Sequence, residues 1–233
     1  MKPLGLLILA ALLGSMAYDV CGADDGAIEA YGGSVAPMVE HPTIRLSAEF
    51  VHVRIRPDDY EVECVFFLEN DGPAATVTMG FPNFSGGADV EAVSRFSFFV
   101  SFVDKDSVSV TLLPDSAHSS YGDYWGWYTK TVEFAEGQTR CVRNVYSSSP
   151  GFSASGDQWI EYVLWSGSTW AGPIGVADIV VTLDSTMVTT DSLSIEPSGY
   201  GLSPNEIRWH FTEFEPEGSS GNGVIRVSWR RKH

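Results

Sequence analysis

The stretch "YEVECVFFLENDGPAATVTMGFPNF", Tyr60 to Phe84, decides the fold. Its first half alternates with period two. Val62, Cys64, Phe66 and Leu68 share one face, and Glu61, Glu63 and Glu69 share the other with Val65 and Phe67. That spacing predicts a strand with one buried side. "NDGPAA" then reverses the chain, with Asp71-Gly72 as hairpin chemistry and Pro73 as a stop. "TVTMGFPNF" reads as the return strand.

The same period runs outward in both directions. Upstream, "TIRLSAEFVHVRIRP" changes phase: Ile44, Leu46 and Ala48 lie on one side, and Val51, Val53 and Ile55 on the other. A slip of one residue near Glu49-Phe50 is expected, either a β-bulge or a strand passing between sheets. Downstream, "RFSFFVSFV", "SVSVTLL", "TKTVEFA", "TRCVRNVYS", "WIEYVLW", "ADIVVTL", "LSIEP", "EIRWHFTEF" and "GVIRVSW" read as short strands. Gly, Pro, Asp, Asn and Ser separate them. About twelve strands without crossover helices predict an all-β chain, an antiparallel β-sandwich of immunoglobulin-like type. The polar interval "PDSAHSSYGDYWGW" places a boundary between two packed halves, residues 24–115 and 116–233.

The amino terminus sets the compartment. "MKPLGLLILAALLGSMA" has one cation, Lys2, and an apolar core from Leu4 to Leu13, the layout of a secretory signal peptide. Small residues fit cleavage after Ala17 or after Ala23; residues 1–23 are assigned to the signal. A lipid anchor on Cys21 competes, but Val20 stands where a small residue is wanted. No other segment is apolar for the roughly 18 residues a membrane span needs. The expectation is a secreted or periplasmic protein.

The net charge is -16 with and without residues 1–23, since Lys2 and Asp19 leave together. Such a surface excludes nucleic acid as a partner, because phosphate binding depends on Lys and Arg. Cleavage after Ala23 leaves Cys64 and Cys141. Export permits a disulfide between them, worth about 4 kcal/mol in the chain-entropy view, and the alternative is two buried thiols.

Catalytic and metal signatures are sparse. His41, His52, His118, His210 and His233 fall in no nucleophile–base pattern, and no Gly-x-Ser-x-Gly elbow exists. Neither Cys-x-x-Cys nor His-x-x-x-His occurs, so zinc is not expected. Asp104 and Asp106, or Asp24 and Asp25, offer oxygens for a structural calcium, though as turn residues they need none. A carboxylate pair for a glycoside hydrolase carries no signal in so acidic a chain.

Aromatic residues carry the functional hint. Seven tryptophans and nine tyrosines are present, and "YGDYWGWYTK" concentrates Tyr121, Tyr124, Trp125, Trp127 and Tyr128 beside glycines. Flat rings beside hydrogen-bonding groups suit sugars or a protein partner; in a sandwich they equally fill the core. Trp170, in "WSGSTWAGPIG", belongs with them as a ligand candidate or as a cover for the sandwich end.

Several phrases resemble a known family. "YGGSVAPM", "YEVECVFFLENDGPAATVTMGFP", "KTVEFAEGQTRCVRNVYS", "SGSTWAGPIGVADIVVTL" and "IRWHFTEFEP" follow in an order similar to exported bacterial all-β proteins of unknown function. Ser166 stands where that pattern has Thr. The resemblance implies export and an all-β fold, allows a longer carboxy-terminal region in relatives, and supplies no catalytic residues. The resulting expectation is a non-enzymatic binding or structural module of the cell envelope, with a glycan or envelope protein as partner. A carboxylate-dependent hydrolase and a purely structural surface protein are the alternatives.

Overall fold

The computed structural model describes residues 21–23, 25–31, 34–37, 40–84, 96–114, 124–153, 155–184, 193–217 and 221–230. In chain order the strands are β1 (Cys21–Ala23), β2 (Gly26–Tyr31), β3 (Ser34–Pro37), β4 (Ile44–Ile55), β5 (Tyr60–Asn70), β6 (Ala75–Phe84), β7 (Phe98–Val103), β8 (Asp106–Val108) and β9 (Thr111–Pro114). They continue as β10 (Tyr124–Phe134), β11 (Thr139–Ser148), β12 (Gly151–Phe152), β13 (Asp157–Val163), β14 (Ile174–Thr182), β15 (Ser194–Glu196), β16 (Gly201–Ser203), β17 (Glu206–Phe214) and β18 (Val224–Arg230). A 3-10 turn covers Trp165–Thr169. No described helix is long and apolar enough to cross a membrane.

The all-β expectation holds. Strand β5 alternates buried and half-buried along its whole length. Eight strands form one sheet in the order β16-β17-β14-β4-β5-β11-β7-β8. Two five-stranded sheets face it. One runs β3-β2-β6-β10-β9; the other runs β1-β13-β18-β15, with β12 on β13. Val62, Phe66 and Leu68 of β5, Met79 and Phe81 of β6, Tyr162 of β13 and Val227 of β18 belong to one buried cluster. Pairing is antiparallel with two exceptions, β14 on β4 and β1 on β13, which run parallel.

A division at residue 115 does not separate two cores. Strands β4, β5, β7 and β8 come from before it and share the large sheet with β11, β14, β16 and β17. The disulfide between Cys64 and Cys141 is not formed either. Cys64 lies opposite Asn144, and Cys141 lies opposite Phe67, three rungs away. Side chains alternate across a sheet, so Cys64 points into the core and Cys141 to the other face.

The phase slip in β4 is a bulge within one sheet, two residues earlier than the sequence places it. Leu46 opposes Leu68 and Ala48 opposes Phe67, so Ser47 is the extra residue. Its hydroxyl donates to the Phe67 carbonyl at 2.9 Å. Past the bulge Glu49, Val51, Val53 and Ile55 point inward, and Phe50, His52 and Arg54 point outward. The fully buried Glu49 accepts a hydrogen bond from the Tyr162 hydroxyl at 3.0 Å.

A second polar contact joins the layers. Lys130 of β10 reaches Asp25 at 2.7 Å and Asn144 of β11 at 3.3 Å. Asn144 Nδ2 donates to the same Asp25 oxygen at 2.9 Å, and the Ser101 hydroxyl of β7 donates to Asn144 Oδ1 at 2.7 Å. Asp104, for its part, accepts from the Cys141 backbone N–H and pairs with Arg140. Of the carboxylates considered for calcium, Asp25 and Asp104 thus already face cations and Asp106 is exposed at the start of β8; Asp24 lies outside the described residues.

The segment "WSGSTWAGPIG" packs against the bulge. The Ala171 N–H donates to the Ile44 carbonyl and the His41 N–H to that of Thr169. Gly172 takes φ 64°, the left-handed turn conformation. A Cβ on Gly175 would lie 2.4 Å from the Ser47 carbonyl oxygen, so only glycine lets β14 approach the bulged backbone. Gly175→Ala should therefore cost about 1–3 kcal/mol, the usual effect of overpacking. A urea unfolding midpoint checks it; an unchanged midpoint contradicts the close approach.

Candidate functional site

The bulge decides what the large sheet shows to solvent. Outward residues of the four neighbouring strands β17, β14, β4 and β5 enclose an open groove of about 540 Å³. Phe50, Val65 and Val180 supply apolar surface. His52, Glu63, Asp178, Glu206 and Arg208 supply polar groups. Register sets the spacing: Phe50 lies beside Val65 on β5 and Asp178 on β14, and His52 beside Glu63 and Val180.

Phe50 is 43% exposed, although a phenyl ring on a sheet face normally seeks cover. It meets Phe67 in a T-shaped contact, with ring centroids 6.1 Å apart and planes at 89°.

The two glutamates are paired with arginines. Glu63 pairs with Arg143 at 3.1 Å and with Arg54 at 3.6 Å; Glu206 pairs with Arg208 at 3.1 Å. Asp178 Oδ1 lies 2.8 Å from His210 Nδ1 at the groove rim. His52 Nε2 lies 2.7 Å from Thr182 Oγ1, whose hydroxyl donates to the Val53 carbonyl. Thr182 therefore accepts from Nε2–H, and His52 Nδ1 is left as an acceptor. Burial, with the nearby Arg54 charge second, lowers the His52 pKa below its ordinary 6.5. The groove thus offers a neutral imidazole, paired carboxylates and one apolar wall.

Of the aromatic residues singled out in the sequence, the described side chains of Trp127, Tyr128 and Trp170 do not line this groove. Tyr121 lies outside the described residues, as do the side chains of Tyr124 and Trp125, which belong to β10. Trp127 is completely buried. Tyr128 is half-buried and stacks on Phe99 at 4.6 Å. Trp170 is buried, and its indole N–H donates to the Asp25 carbonyl at 2.8 Å. For Trp127 and Trp170 an exposed platform is thereby replaced by a packing role: Trp127 falls on a buried position of β10, and Trp170 ends the 3-10 turn with its ring in the core. The groove residues Phe50 and His52 carried one signal in the sequence, the phase change of β4 that turns them outward.

No protein-family model and no curated protein matches the chain. Solved structures do share its architecture. A crystal structure of a candidate nutrient binding protein from Legionella pneumophila aligns with TM-score 0.64 and 18% identity, covering 91% of this chain and 71% of that one. A looser likeness, TM-score 0.38 and 11% identity, links 83% of this chain to 44% of an M1 zinc metallopeptidase from Deinococcus radiodurans. The first likeness shows the fold; the second carries no argument.

Protonation of His52 has a defined sign. Its folded pKa lies below the unfolded value, so between the two the unfolded chain binds more protons. The stabilising effect is complete above pH 6.5 and is lost as pH falls through the folded pKa. His41, buried beside Trp170 with Nδ1 accepting the Ile44 N–H at 2.9 Å, shifts the same way. Urea midpoints should fall from about pH 7 to about pH 5, with a shallower fall in His41→Gln and His52→Gln. Equal slopes in all three proteins contradict the assignment.

Proposed function

We propose that the chain is an exported, non-catalytic binding module whose ligand site is the groove on the outer face of the large sheet. The carrying observation is the pairing of its charges around an exposed phenyl face. Glu63 and Glu206 are held by arginines and Asp178 shares a hydrogen bond with His210, so the groove carboxylates are all engaged and the two glutamates are charge-paired. A neutral ligand with many hydroxyls and one apolar face suits it, as in a sugar ring that lies on Phe50 and donates to Asp178 and His52 Nδ1. The Legionella protein of like fold is named for nutrient binding; a role of that kind is proposed here on this chain's own groove.

Export supports an envelope or extracellular setting. Of the two cleavage positions, the one after Ala17 preserves β1, which pairs with Glu161–Val163, and the one after Ala23 removes it. Amino-terminal sequencing of the exported chain should find Tyr18 first. A chain starting at Asp24 contradicts the earlier cut.

Titration calorimetry against neutral mono- and oligosaccharides tests the ligand class. Saturable binding is expected, weakened about tenfold or more by Phe50→Ala, roughly 1.4 kcal/mol. Binding that survives Phe50→Ala unchanged would place the ligand elsewhere, and binding of no neutral sugar overturns the class.

A further inference from the structure

The buried cluster of Lys130, Asp25, Asn144 and Ser101 has the geometry of a reaction centre, and we propose that it forms an amide bond between the Lys130 and Asn144 side chains. The cluster lies between the sheets, away from the groove. Lys130 is 4% exposed, Asp25 and Ser101 1%, and Asn144 0%. Amines and carboxamides seldom meet in so dry a place, since burying an ammonium costs several kcal/mol unless a partner compensates it.

Each group occupies the position that the chemistry requires. Lys130 Nζ, the nucleophile, is 3.3 Å from Asn144 Oδ1 and so lies against the carboxamide. Asp25 Oδ2 touches both exchanging nitrogens, Lys130 Nζ at 2.7 Å and Asn144 Nδ2 at 2.9 Å. One oxygen can therefore take a proton from the attacking amine and deliver it to the departing one. The Ser101 hydroxyl donates to Asn144 Oδ1 at 2.7 Å, where negative charge grows as the tetrahedral centre forms. Asp25 Oδ1 is buried with no hydrogen-bond partner, so Oδ2 alone is committed to the relay. The Trp170 indole holds the Asp25 backbone in place at 2.8 Å.

The step balances without an oxidant or a cofactor. Asp25 accepts a proton from the Lys130 ammonium, and the free amine adds to Asn144 Cγ. The Cγ–Nδ2 bond then breaks. Asp25 passes its proton to Nδ2, then takes the second proton shed by Nζ and hands it to the departing ammonia, which leaves as ammonium and restores the carboxylate. The Nζ–Cγ bond remains. The product is uncharged apart from Asp25, and it fastens β10 of one sheet to β11 of the facing sheet. It would be a covalent link between the layers in a protein whose Cys64 and Cys141 form none.

Tryptic mapping by tandem mass spectrometry of the purified, folded full chain tests this. The expected result is a branched peptide joining Lys130 to Asn144, lighter by one ammonia than the sum of its parts, with no cleavage after Lys130. Lys130→Arg and Asn144→Ala should each abolish it. Asp25→Ala should also abolish it while keeping both joined residues. Cleavage after Lys130 with unlinked peptides of full mass in the wild-type chain overturns the proposal, whether or not any variant folds. A link lighter by one water between Lys130 and Asp25 overturns it too, because that is a different bond.

Discussion

One extra residue in β4 sets the character of both faces of the large sheet. Had Ser47 been paired in register, the alternation begun at Ile44 and Leu46 would have carried Phe50 and His52 into the core. It would have put Val51, Val53 and Ile55 in water. The bulge reverses this and aligns the second half of β4 with the inward residues Val62 and Cys64 of β5. Gly175, whose missing side chain admits the Ser47 carbonyl, is the matching concession on the other side of the strand. The groove, the buried Glu49 and the glycine in "AGPIG" all follow from the same insertion.

Two of the buried polar contacts lie where sheets meet. Glu49 receives the Tyr162 hydroxyl from the β13 sheet; Lys130, Asp25 and Asn144 join the β6–β10 sheet to the large one. Buried ions add little net stability over apolar packing, and removing one partner is costly. Their value lies in specification. An apolar interface between two sheets tolerates sliding, whereas an ammonium that must meet one carboxylate and one carboxamide admits a single alignment. A covalent amide at the same point would make that alignment permanent.

Much of this fold was legible in period-two spacing. Strands such as "YEVECVFFLEN" and "TRCVRNVYS" have one apolar face, and the phase change in "SAEFVHV" announced the bulge. Long-range pairing was not legible. Nothing in the text of β14 shows that it runs parallel to β4, because both strands are simply apolar on alternate positions. That pairing interleaves the two halves of the chain, which the polar interval near residue 115 had separated. Aromatic content misled for a physical reason: Trp127 and Trp170 are large enough to suit either a ligand or the core, and composition does not choose between them. Lys130 sits within "YTKTVEF" like any surface lysine, and only the folded chain brings Asp25 and Asn144 to it. Phe50 and His52 could have been found by following the phase change to its consequence, that the residues after it turn outward.

The groove, the buried Glu49 and the placement of "AGPIG" rest together on the reversal of side-chain direction between Leu46 and Phe50. Thiol labelling of the native protein measures that direction residue by residue. In a chain whose own cysteines are replaced by alanine, Arg45→Cys, Phe50→Cys and His52→Cys should label rapidly. Leu46→Cys, Val51→Cys and Val53→Cys should stay protected until the chain unfolds. Rapid labelling at 45, 51 and 53 with protection at 50 and 52 would show an uninterrupted strand and contradict the structure at its central point.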